Sequence, residues 1–274
     1  MRFVISTRAG FKTKVINPLV FGSFLLGAGL PLNVAADNEF GDDSPGSSWG
    51  IGVGVSSSQK PYTDIDRDNK LLPILTYENE YIRLAGPELA FKLPSYKLNE
   101  SNQFNFGFVG KYDFTDYEQS DAPILNGMED RDGGFWAGFR AEWQNNYADI
   151  SAEYVTEVSG DSEGSVINFG IERTWHFQEQ FLFTPRIVVS WLDKEYVDYY
   201  YGVRATEVNA ERSFYQGDAG VNIEVGARGG YMFKQKHFVF LDASVTSLAS
   251  EIKDSPLVDS STENRIVFGY IYSF

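Results

Sequence analysis

The chain contains no cysteine, which excludes disulfides, thiolate nucleophiles and cysteine-ligated metals. Histidine is almost as scarce, with His176 and His237 the whole supply. Basic residues are the minority charge: 23 stand against 38 acids, for a net of −15. That balance opposes nucleic-acid binding, which needs basic surface to meet phosphates. No phosphate-cradling glycine loop, catalytic serine motif or metal-ligand spacing is present. Beyond residue 36 no apolar run approaches the roughly 20 residues of a membrane-spanning helix.

Aromatic residues and glycine are abundant: 22 Phe, 16 Tyr, 5 Trp and 26 Gly. Together with β-branched residues they point to an all-β protein. Residues 1–36 read as a secretory signal peptide. Arg2, Arg8, Lys12 and Lys14 precede an apolar segment from Leu19 to Leu32, and Val34-Ala35-Ala36 forms a small-residue cleavage site before Asp37. Losing those four bases takes the mature chain to about −19. Residues 37–48 are polar and read as a flexible periplasmic leader, leaving 49–274 as one domain.

That domain alternates with period two, the mark of strands with one apolar face. Trp49, Ile51, Val53 and Val55 alternate with Gly50, Gly52, Gly54 and Ser56; these glycines read as close-packing positions on an inner face. Phe104, Phe106, Phe108 and Tyr112 oppose Asn105, Gly107, Val109 and Lys111. The segment Ile266 to Phe274 carries Ile266, Phe268, Tyr270, Tyr272 and Phe274 on one face, a pattern expected to be read by the barrel-assembly machinery of a bacterial outer membrane. Twelve such strands can be placed. Region 71–98 is the hardest to assign, because Pro73 and Pro94 are awkward inside a ladder, and Arg173 falls on the apolar side of its strand.

Connections after the fifth strand alternate long (near 115–132, 159–164, 194–216 and 250–263) and short (Asn145-Asn146, 178–180 and 233–236). A soluble sandwich has no reason to keep this phase; a barrel with long outer loops and short inner turns does. Closure is also the only way a sheet pairs all its backbone in lipid. The expected fold is an all-β, transmembrane antiparallel up-and-down barrel of about twelve strands, in contact with outer-membrane lipids and lipopolysaccharide.

The inward positions carry Lys111, Asp113, Arg140, Glu142, Asp149, Glu153, Glu172, Arg186, Glu224, Arg228 and Asp242. They could line a narrow aqueous pore or pair and fill the lumen; twelve strands lie between filled eight-stranded barrels and conducting sixteen-stranded ones. Tyr199, Tyr200, Tyr201 and Tyr215 are outer-loop binding candidates, since tyrosine gives rigid amphipathic contact, or else extend a strand into an aromatic girdle. Both histidines lie beside short inner turns, away from an outer rim where a hydrolase would meet lipid or peptide. No catalytic residue, cofactor or metal is expected.

The glycine-alternating first strand, Pro61-Tyr62, Leu72-Pro73 with Tyr77, and Tyr200-Tyr201-Gly202-Val203 followed by Tyr215 resemble the MltA-interacting protein (MipA)/OmpV family of outer-membrane proteins. The resemblance runs from Trp49 to Phe274. It implies a non-enzymatic barrel, in some members a scaffold linking a murein transglycosylase to a peptidoglycan synthase in cell-wall maintenance. Other members are porin-like, which keeps a narrow channel for small solutes as the alternative. The family brings no catalytic motif.

Overall fold

A computed structural model describes residues 47–178 and 180–274. The signal-peptide reading of 1–36 and most of the leader lie outside the described residues. The rest forms a closed antiparallel barrel of twelve wall strands. These are β1 (Ser48–Gln59), β2 (Asp68–Glu78), β3 (Ile82–Ala85), β4 (Glu88–Lys92, resuming at Tyr96–Asn99), β5 (Asn102–Asp113) and β6 (Gly134–Gln144). They continue with β7 (Asp149–Glu157), β8 (Ser165–Glu172, resuming at Trp175–Phe177), β9 (Phe181–Leu192), β10 (Gly220–Phe233), β11 (His237–Ser247) and β12 (Thr262–Ser273). Each strand pairs with its sequence neighbours, and β12 returns to β1 to close the ring.

The register shows the tilt that closure requires. The line Gly50, Thr76, Ala85, Glu88, Lys111, Trp136, Glu157 crosses seven strands at right angles. It starts near the inner end of β1 and finishes at the outer end of β7. The expected alternation holds: Ile51, Val55, Phe108, Phe135, Phe169, Val225, Leu241 and Phe268 are exposed on the outer surface, while their sequence neighbours turn inward. This exposed apolar belt suits hydrocarbon.

The prolines that obscured the sequence sit where the ladder has no use for an N–H. In an antiparallel strand both backbone groups of a residue face the same neighbour. The Leu75 carbonyl accepts from Gly86, so Pro73 also faces the β3 side, where β3 has already ended. Leu93 donates to Phe106, which turns Pro94 away from β5 at the break in β4. Arg173, on the apolar register of β8, reaches the Asn145 carbonyl at the inner turn, 3.2 Å away, and so keeps its charge out of the lipid.

Two outer connections contain helices where the sequence suggested plain loop: α1 (Lys194–Tyr201) and α2 (Ser250–Lys253). Asp193 caps α1 by accepting from the Tyr196 amide at 2.9 Å, satisfying one of the donors a helix leaves free at its start.

Candidate functional site

The lumen carries two charged clusters. On one wall Arg140 donates to both oxygens of Glu88, each at 2.8 Å, and through Nε to Glu153 at 2.8 Å. Glu153 also accepts from Lys111 at 2.7 Å and from Asn168 at 3.2 Å. On the facing wall Arg186 bridges Glu224 (2.9 Å) and Asp242 (2.8 and 3.0 Å), and Arg228 reaches Asp242 through Nε at 3.0 Å. Paired fork-to-carboxylate contacts of this kind are short, directional and strong. These charges are engaged with each other.

The other inward candidates stand nearer the rims. Asp113, at the outer end of β5, accepts from the amide and hydroxyl of Thr115, both at 2.8 Å. Asp149 and Glu172 are cross-strand partners at the inner end. Glu142 is buried on β6, and neither of its carboxylate oxygens has a hydrogen-bond partner among the described residues. Glu88 was missing from the sequence-based set because it sits in the stretch where Pro73 and Pro94 blurred the register.

Beside the ion pairs, the inner half of the lumen is packed with Ile74, Phe238, Phe240, Val267 and Ile271. Glycine makes room for them. A Cβ on Gly52 would lie 2.8 Å from the Ile271 side chain and closer still to the Tyr270 carbonyl. The spacing of glycines on β1 therefore encodes an apolar stopper in the lumen.

The outer mouth is closed by the loops. α1 buries Tyr196, Val197, Tyr200 and Tyr201 on one face, against Tyr62, Tyr117, Leu125, Trp136 and Leu257. Rings of Tyr62 and Tyr201 stack at 5.6 Å, and Tyr196 meets Trp136 at 5.8 Å. Tyr62 donates to the Tyr200 carbonyl, Tyr200 to the Asp132 carbonyl, and Tyr215 to the Glu251 carbonyl, while the buried Tyr117 hydroxyl has no hydrogen-bond partner among the described residues. Tyr199 accepts from the Asp132 amide. Tyr200 and Tyr201 are 1% and 4% exposed and do not face solvent, Tyr199 and Tyr215 are half-buried, and 199–201 lie on a helix rather than a girdle strand. The spacing Tyr196, Val197, Tyr200, Tyr201 is helical, and a helix turns all four toward the mouth.

Arg131 and Arg212, which the sequence reading passed over, clamp this lid. Arg131 donates to Glu207 at 2.9 Å and to the Tyr199 carbonyl at 2.8 Å, with its guanidinium 5.5 Å from the Tyr199 ring. Arg212 binds the carbonyls of Glu207, Ile124 and Asn126. Burial alone would raise the Glu207 carboxyl. The amides of Arg204 and Glu129, with Arg131, outweigh it and hold that carboxyl below the usual range. Asp116, between Lys60 at 2.9 Å and Lys70 at 3.2 Å, is lowered in the same way against its own burial. The available signal was compositional: Arg131 is the one base in the acidic stretch 115–132.

The histidines do not approach these clusters. His176 is exposed at the inner end of β8, and His237 Nδ1 lies 2.7 Å from the Tyr270 hydroxyl beside the Phe233 ring. Trp49 stacks on Phe274 at 3.8 Å, where the first and last strands meet. On that last strand Ile266 and Phe268 are exposed outward, and Tyr270 and Tyr272 are half-buried.

A family model described as "MltA-interacting protein MipA" matches residues 51–274. The outer membrane protein YiaT of Escherichia coli K12 is 24% identical over 83% of this chain and 92% of its own. The MltA-interacting protein of the same strain is 25% identical over 82% and 90%. Outer membrane protein OmpV of Vibrio cholerae is 21% identical over 82% and 86%. Among solved structures, the NanC porin is similar at 11% identity, covering 81% of this chain and 98% of that one, with a TM-score of 0.43.

Proposed function

Because the chain belongs to the MipA family of outer-membrane barrels, we propose that it is a non-conducting, non-enzymatic barrel whose work is to hold a murein-acting partner at the inner membrane face. The observation that carries this reading is the doubly closed lumen: ion pairs span its middle, apolar side chains fill its inner half, and a clamped tyrosine lid covers its outer mouth. A barrel that passes no solute has its loops and turns left as working surface. The relative named MltA-interacting protein supports a lytic transglycosylase as the first partner. A peptidoglycan synthase is the second, bridged to the first through the barrel.

The inner surface offers a place for this contact. Among the described residues the Tyr96–Asn99 segment of β4 pairs only with β5, and all four of its residues are exposed, Tyr96 at 62% and Leu98 at 55%. An open edge with apolar side chains can accept a strand or loop from another protein. The test is capture of purified lytic transglycosylase and synthase on the immobilised, folded barrel. Retention that falls at least tenfold in Tyr96→Ala/Leu98→Ser is the expected result. Failure to retain either enzyme would contradict the reading.

A further inference from the structure

The barrel wall is incomplete in its outer half. β3 has four residues, and β4 has five before its break. The Gly86-Pro87 turn joining them is tied to Leu75 on one side and Tyr112 on the other, at 3.0 and 3.2 Å. β2 continues outward from Ile74 to Asp68, paired to β1 but, among the described residues, with no strand on its other flank. At about 3.3 Å per residue along strands tilted by about 40°, the hairpin stops on the order of 10 Å below the outer rim. The wall has a notch two strands wide.

The edge facing this notch is chemically distinctive. Asn69, Leu71 and Pro73 turn their backbone toward it, by the alternation that aims Leu75 at Gly86. Pro73 removes one donor from the edge. The Leu71 N–H and the carbonyls of Leu71 and Pro73 have no strand partner among the described residues. Open sheet edges are not tolerated against hydrocarbon, so this edge calls for a hydrogen-bonding occupant.

Behind the notch lies a cavity of about 180 Å³ in the outer half of the lumen. Tyr62, Tyr196 and Tyr201 roof it, Leu72, Val188 and Val267 supply apolar wall, and Lys60, Asp68, Lys70, Glu224, Glu263 and Arg265 add charge to the lining. Phe114 lines it too, although Phe114 continues the outward face of Phe108 and Tyr112 and is itself exposed. A residue of the outward face bordering a lumen cavity puts the mouth of that cavity in the wall, between Leu72 and Phe114. Lys60 and Lys70, joined through Asp116, bridge the loops at the same rim.

We propose that this window admits a short single-chain amphiphile from the outer leaflet. Its apolar body would rest against Leu72, Val188 and Val267, and its hydrogen-bonding head would meet the free edge of β2. A cavity of about 150 Å³ is enough for benzene, so the space has the size for one short acyl chain, and its mixed lining favours an amphiphile over a pure hydrocarbon. This inference does not depend on any murein partner.

The experiment is fluorine NMR titration of terminally fluorinated octanamide, whose head both donates and accepts, into the barrel in lipid nanodiscs. Saturable binding is expected, weakened at least tenfold in Val188→Trp, which fills the cavity. Inserting two residues on each side of the Gly86-Pro87 turn raises the sill and is expected to slow uptake at least tenfold. Partitioning equal to that of empty nanodiscs, or uptake indifferent to both changes, would overturn the proposal. Should the tryptophan variant not fold, the cysteine-free background provides another readout. Leu72→Cys should react with a lipophilic maleimide and be protected by octanamide; a reactive but unprotected thiol, or one that never reacts, would also overturn it.

Discussion

Replacing Arg140 with methionine tests whether the lumen is held by ion pairs that must be complete. Arg140 donates two hydrogen bonds at 2.8 Å to the Glu88 carboxylate, while Glu153 keeps Lys111 at 2.7 Å. The variant therefore takes the paired guanidinium from buried Glu88 and leaves Glu153 a cation. Removing one partner of a buried pair costs about 3–5 kcal/mol, most of it the burden of the charge left behind. Urea unfolding of the refolded barrel in micelles, followed by tryptophan fluorescence, should show a loss of that size. Adding Glu88→Gln should recover it to within about 1–2 kcal/mol, because both charges then leave together. A single substitution costing under about 1 kcal/mol, or a second one that deepens the loss, would refute the reasoning.

Acid should loosen the outer lid. The Glu207 and Asp116 carboxyls are lowered in the folded chain, so their stabilisation is complete above the unfolded values near 3.9–4.3 and fades as pH falls through the lower folded ones. Protease nicking within 204–216 should be slow from about pH 8 to 5 and rise below about pH 4; a lid that tightens in acid would contradict this. Burial pushes the phenols of Tyr62, Tyr196 and Tyr201 upward, so the lid should stay closed to about pH 10, as the same nicking assay can show. In Gly217→Ala a Cβ would stand 2.6 Å from the Asp198 amide nitrogen, displacing α1. The same protease should then cut at least several-fold faster at neutral pH, and an unchanged rate would mean that α1 does not pack there.

Most of the wall was legible in the sequence because a barrel repeats one simple signal, apolar out and polar or small in, and lipid enforces it on every strand. Strand number and outward face could both be read that way, from Trp49 through Phe274. The segment around Pro73 and Pro94 resisted because proline usually argues against a ladder, whereas here it marks the flanks where the ladder is missing. The lid resisted for a different reason. Tyr196, Tyr200 and Tyr201 take their meaning from partners as distant as Tyr62 and Leu257, and a short helix capped by Asp193 leaves a weak local trace. The inward charges could be enumerated, but pairing is a matter of cross-wall geometry; Glu88 and Glu153 become partners of one arginine only once β4, β5, β6 and β7 stand in order along the wall.

The central claim is that the lumen is shut at both ends, and single-channel recording of the refolded protein in a planar bilayer tests it most directly. A silent membrane at neutral pH is the expected result. Steady, ion-selective openings of the unaltered protein would contradict it, and would make Lys111, Arg140 and Glu224 pore residues rather than struts.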